Sequence, residues 1–183
     1  MAKIIAISNQ KGGVGKTTTS VNLAACLGKM GKKTLLVDAD PQGNATSGVA
    51  IDKSKVKFST YSILVDGAKA EQCVLTTPYD NLHILPSSLD LAAAELEIAE
   101  KPHREALLKN ALLPIKQYYD YIIIDCPPSL GLITTNALTA SDTFLVPIQC
   151  EYYALEGLTQ LMSTVRRIKR QYNNTIDIEG VLL

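Results

Sequence analysis

Near the start of the chain, Gly12-Gly13-Val14-Gly15-Lys16-Thr17-Thr18 brings together the residue types that phosphate chemistry needs. Glycines let successive backbone N–H groups converge on anionic oxygens with no Cβ in the way. Lys16 supplies a point charge for the β- and γ-phosphates of a nucleoside triphosphate, and the Thr17 hydroxyl is the kind that ligates Mg2+. A helix starting near Lys16 adds the positive end of its dipole. A plain glycine turn before a helix is the competing explanation. The succession of strand, Gly-Lys-Thr and helix argues against it.

The pattern departs from the common GxxxxGK[ST] form, because Gln10 stands where the first glycine belongs and Lys11 follows it. Lys11 lies in the loop, off the helix that carries Lys16. It is either a solvated surface lysine or a second cation aimed at the phosphates, from this subunit or from a partner. Two acidic segments complete the constellation. Val37-Asp38-Ala39-Asp40-Pro41 follows an apolar run, at the sheet edge where open α/β folds place ligands. A carboxylate there can hold a water of the Mg2+ shell or orient an attacking water, which is the role expected of Asp40. Tyr121-Ile-Ile-Ile-Asp125 places an acid after four residues of a buried strand, suited to the metal, with Asp125 acting through water. Helix caps or turn aspartates are the alternatives for these acids, above all for Asp38.

These residues need a scaffold, and hydrophobic periodicity supplies one. Lys3–Ser8, Thr34–Asp38, Leu82–Leu85, Tyr121–Asp125, Thr143–Ile148 and Val181 onward are apolar runs of strand length. Between them, helical spacing marks 17–30 (closed by Gly31), 89–100, 104–117, 130–140 and 154–172. Strand, helix, strand in succession gives right-handed crossovers. The expected fold is α/β: a mostly parallel twisted sheet with helices on both faces, of the P-loop NTPase type. Residues 51–80 are the least legible and suggest an excursion of short helices.

Composition sets the outer limits. With 183 residues and 46% apolar content, one core and one domain over 1–183 are expected. Lys plus Arg and Asp plus Glu both number 18, so no global cationic field advertises nucleic-acid binding, and any such binding must come from a local patch or from assembly. Cys26, Cys73, Cys126 and Cys150 form no CxxC pair, which suits a reducing compartment. No apolar run approaches the roughly 20 residues of a membrane span. The reading is cytoplasmic, with no membrane partner. The final Gly180-Val-Leu-Leu183 reads as a strand beginning, so a domain lacking its C-terminal strands and helices is expected.

Four blocks, ISNQKGGVGKTTTSVNLAACL, VDADPQGNATSG, YIIIDCPPSLGLITTNAL and VPIQCEYYALEGLTQL, resemble the ParA/Soj subgroup of the deviant Walker A ATPases. The likeness extends along essentially the whole chain. It implies ATP and Mg2+ as cofactors, slow hydrolysis, and an ATP-dependent homodimer in which Lys11 reaches the other subunit's nucleotide. It implies action in chromosome or plasmid partitioning on the nucleoid, with non-specific DNA and a ParB-like centromere-binding protein as partners. The expected nucleotide-binding set is Lys11, Gly12, Gly13, Val14, Gly15, Lys16, Thr17 and Thr18. Lys16, Asp40 and Lys11 are the expected catalytic residues, and Thr17 with Asp125 the metal-holding ones.

A second class of function shares the same cradle: a metabolic enzyme that uses ATP to activate a small carboxylate. His83 and His103 have no neighbouring ligand pattern and read as surface or packing residues. Cys126 does not have the spacing of an iron–sulfur ligand. Arg166, Arg167, Lys169 and Arg170 read as a solvated helix face, with a sequence-independent phosphate-backbone contact as the alternative.

Overall fold

The computed structural model describes residues 2–150 and 154–183. In chain order the elements are β1 (Lys3–Ile7), α1 (Lys16–Lys29), β2 (Thr34–Asp38), α2 (Asn44–Gly48), α3 (Ala70–Cys73), β3 (Leu75–Thr76), β4 (Leu82–Leu85), α4 (Ala94–Glu97), α5 (Leu107–Leu112), β5 (Tyr121–Asp125), α6 (Leu132–Ala140), β6 (Thr143–Pro147), α7 (Ala154–Gln171) and β7 (Asp177–Leu182). The strands form one sheet in the order β3-β4-β2-β5-β1-β6-β7. Every pairing is parallel except that of β3 with β4. The continuous apolar runs are explained by this arrangement, since β1, β2 and β5 are covered on both faces.

Alternate residues of these strands feed two separate cores. Ile5, Ile7, Leu36, Ile84 and Ile123 pack with Ala24 of α1 and Ala45 of α2. Ile4, Ala6, Leu35, Val37, Ile122 and Ile124 pack on the opposite face with Leu108, Leu112, Ala137, Leu138, Leu161 and Val165 from α5, α6 and α7. Helices therefore lie on both faces, as the sequence predicts.

Two stretches expected to be single helices are broken. The 89–100 segment is a 3-10 turn at Leu89–Ala92 followed by the single turn of α4. Its apolar spacing is real, since Leu91, Ala94 and Ile98 are buried, but so short a segment gains little from helix propagation and is held by packing. The 104–117 segment holds α5 only to Leu112, flanked by 3-10 turns at Arg104–Ala106 and Lys116–Tyr118. Pro114, which lacks an N–H and crowds the preceding turn, ends the helix. α6 begins at Leu132, because extended Gly131 precedes it and the Glu95 carboxylate accepts the Ile133 N–H at 3.2 Å. The obscure 51–80 stretch holds a 3-10 turn (Lys53–Lys55), a π-type turn (Ser62–Asp66), α3 and the short antiparallel β3. Within the block VPIQCEYYALEGLTQL, residues 151–153 lie outside the described residues.

Candidate nucleotide and magnesium site

The three central strands end together. Ile7, Asp38 and Asp125 are the last residues of β1, β2 and β5, and Asp125 is the register partner of both others. Parallel register partners point to the same sheet face, here the one covered by α1. The glycine-rich loop leaving β1 and the two acids are thereby brought to one edge, as anticipated from the sequence.

The loop is shaped by left-handed glycines, with φ of +75° at Gly13 and +86° at Gly15. A Cβ at Gly12, Gly13 or Gly15 would meet no atom of the chain within 4 Å, so the space beside the loop is open. Gly15 caps α1 with no side-chain hydrogen bond, and no acid occupies the helix's first turn. The first-turn N–H groups thus face that space without a side-chain acceptor, which suits an anion. Lys16 is buried, at 7% exposure, and its ammonium donates to the Lys11 carbonyl at 2.8 Å. Burial depresses its pKa, and the Asp125 and Asp40 carboxylates oppose that shift.

The loop is pinned from the far side of β1. The buried Asn9 amide donates to the Pro147 carbonyl at 2.7 Å, and its Oδ1 accepts the Lys11 N–H at 3.0 Å. Gln149 Nε2 donates to the Gly13 carbonyl at 3.1 Å. Nothing in the sequence pattern singles out Asn9 or Gln149, because the carbonyls to which they donate lie far away in the chain.

The acids differ in kind. Asp38 is fully buried and saturated: its Oδ2 accepts the Thr46 N–H and hydroxyl, both at 2.7 Å, and its Oδ1 accepts the Asp40 N–H at 3.2 Å. Burial still raises its pKa to about 6, against those hydrogen bonds. Asp38 therefore holds the 40–46 loop, the capping alternative raised for it above. Asp40 is also buried, and its Oδ1 accepts the Gln42 N–H at 2.9 Å, forming an Asx turn. Asp125 accepts the Ser20 hydroxyl at 2.8 Å on Oδ1, while Oδ2 has no hydrogen-bond partner among the described residues. Burial and the neighbouring Asp38 raise its pKa to about 7, with the Ser20 and Thr17 hydroxyls pulling the other way.

These features fit a magnesium nucleotide. A buried carboxylate with one oxygen left without a hydrogen-bond partner is an expensive arrangement, which a bound cation with its waters would relieve. Among the described residues no group of three or more His, Cys, Asp or Glu forms a protein-only metal cage. Cys126, expected not to be a cluster ligand, is buried, with its thiol pKa driven far up by that burial. His83 is a packing residue, its Nδ1 2.9 Å from the Tyr119 hydroxyl.

The chain matches a family described as an AAA domain over residues 2–178. It is 60% identical, over its whole length and 72% of the relative's, to the sporulation initiation inhibitor protein Soj of Bacillus subtilis. The chain belongs to the ParA/Soj family of partitioning ATPases. A second relative in the family, the chromosome-partitioning ATPase Soj of Treponema pallidum, is 46% identical over 99% of the chain and 70% of its own length. Among solved structures, one titled cobyrinic acid a,c-diamide synthase from Mycobacterium smegmatis, with bound ADP and magnesium, superposes with a TM-score of 0.95. It is 38% identical and covers all of this ParA/Soj chain and 74% of its own. None of the described helices is long and apolar enough to cross a membrane.

Proposed function

We propose that this chain is a Mg2+-dependent ATPase that works as an ATP-dependent dimerisation switch in chromosome or plasmid partitioning. The observation that carries the reading is the convergence of an open glycine-rich loop, the buried Lys16 and the half-satisfied Asp125 at one sheet edge. Family membership and the ADP and magnesium of the M. smegmatis structure support it.

In this reading the backbone N–H groups of Gly12 to Thr18 hold the phosphates, and Lys16 neutralises the β- and γ-oxygens. Mg2+, when bound, offsets the charge that develops on those oxygens; Thr17 would ligate it and Asp125 would hold one of its waters. Asp40, with one oxygen committed to its own turn, has the other for an attacking water. Lys11 completes the site of a second copy in the ATP-bound homodimer. Slow hydrolysis then resets the dimer. The further partners are non-specific DNA of the nucleoid and a ParB-like centromere-binding protein in the cytoplasm, and residues 1–183 act as one P-loop domain.

The synthase title of the M. smegmatis structure names a metabolic enzyme rather than a partitioning protein, but identity is higher to the partitioning relatives, 60% and 46% against 38%. Phosphate release measured with DNA plus a centromere-binding partner, and separately with small carboxylic acids, distinguishes the two. Stimulation by the acids alone would overturn the switch.

A further inference from the structure

Ser20 lies one turn beyond Lys16 on α1 and is fully buried. Its hydroxyl contacts two oxygens, the Lys16 carbonyl at 3.0 Å and Asp125 Oδ1 at 2.8 Å. A hydroxyl has a single proton. An ionised carboxylate can only accept, so in that state the proton between Ser20 and Asp125 comes from Ser20. The donation fixes Oδ1 and with it the rotation of the carboxylate. Oδ2 is left as the oxygen with no protein partner among the described residues.

Thr17 also influences Asp125, but its oxygen is the one assigned to the metal. Ser20 belongs to neither the phosphate loop nor the metal shell. We propose that Ser20 is a positioning residue, which anchors Asp125 to α1 so that its free oxygen is aimed at the water shell of Mg2+. The inference rests on the magnesium-nucleotide reading of the site. Its physical basis is general: groups that orient a metal-holding carboxylate change metal affinity by roughly 10- to 100-fold when removed. Because successive turns of α1 carry Lys16 and Ser20, the phosphate-binding cation and the metal-facing carboxylate are also tied to one rigid element.

The test is Ser20→Ala, followed by fluorescence titration of an ADP analogue with and without MgCl2, and by thermal melting of the nucleotide-free protein. The proposal expects affinity in EDTA to be unchanged, while the MgCl2 concentration that gives half of the magnesium-dependent tightening rises roughly tenfold. Ser20→Thr, which keeps the hydroxyl, should restore the wild-type midpoint. An unchanged midpoint in Ser20→Ala overturns the proposal. So does a parallel fall of magnesium-free affinity and melting temperature, which would mark a purely structural role. If the wild-type protein itself gains no affinity from MgCl2, the reading of the site fails first and the proposal with it.

Discussion

Asp38 and Asp125 are register partners at the tips of neighbouring parallel strands, both fully buried and facing the same side of the sheet. Two carboxylates so placed repel each other, and the chain resolves the conflict unevenly. Asp38 receives three donors from the loop it organises, whereas Asp125 keeps one oxygen unpartnered among the described residues.

The pair makes the nucleotide-free protein pH-sensitive. Both folded-state pKa values are raised, to about 6 and about 7, above the unfolded value of 3.8. The stability linked to a raised carboxyl pKa is complete below the unfolded value and is lost as pH climbs through the folded one. Between pH 5.5 and 8 the expected loss is about 2 kcal/mol from Asp125 and about 1 from Asp38. Thermal melting in EDTA should show a lower Tm at pH 8 than at pH 5.5, and magnesium nucleotide should narrow the gap. A Tm that rises with pH in EDTA contradicts the assignment.

The two lysines should separate binding from assembly. Lys16→Ala removes the buried charge opposite the phosphates and should weaken ATP binding by roughly 100-fold. Lys11→Ala should leave monomer affinity within a few-fold of wild type and abolish ATP-dependent dimerisation. Nucleotide titration paired with light scattering reads both effects. Equal loss of affinity in the two variants would refute the division.

Asp40→Ala should bind ATP and stay dimeric while hydrolysing about 100-fold more slowly, a loss of about 2.7 kcal/mol of transition-state stabilisation. Phosphate release and light scattering at saturating ATP are the measurements. Wild-type turnover, or a monomer at saturating ATP, would reduce Asp40 to its Asx turn.

Gly28 tests the scaffold away from the chemistry. It sits in the last turn of α1, and an added Cβ would collide with the Asp80 backbone carbonyl. Alanine gains about 1 kcal/mol of helix propensity, but overpacking against backbone costs about 1–3 kcal/mol. Gly28→Ala should therefore lower Tm by about 4 °C, with nucleotide affinity intact at 25 °C. A raised Tm would show that the 78–81 turn yields easily.

Much of this was legible from the residues alone. The bounds of β2, β4 and β5 follow directly from their apolar runs, and the glycine-lysine-threonine loop declares its chemistry through composition. What escaped has a physical reason in each case. The break at Ala93 interrupts a stretch whose apolar spacing stays helical, so packing decides where the ladder stops, whereas the stop before Pro114 was readable from the proline itself. Asn9 and Gln149 bond to backbone carbonyls that only the folded sheet brings near. Ser20 was within reach, because it shares a helix face with Lys16, yet its partner Asp125 comes from a distant strand. Asp38 was rightly ambiguous: a capping acid and a metal acid look alike until their donors are counted.

The strand order has a consequence for how the molecule is made. β1 is flanked only by β5 and β6, so the strand that launches the phosphate loop has no sheet neighbour until Tyr121–Asp125 has been synthesised. At ribosomal speeds of ~5–20 residues per second, that wait is on the order of ten seconds. Throughout it, Ile4, Ile5 and Ile7 have no strand to pair with. The nucleotide site thus cannot be completed before β5 has emerged, although its phosphate loop lies far earlier in the chain.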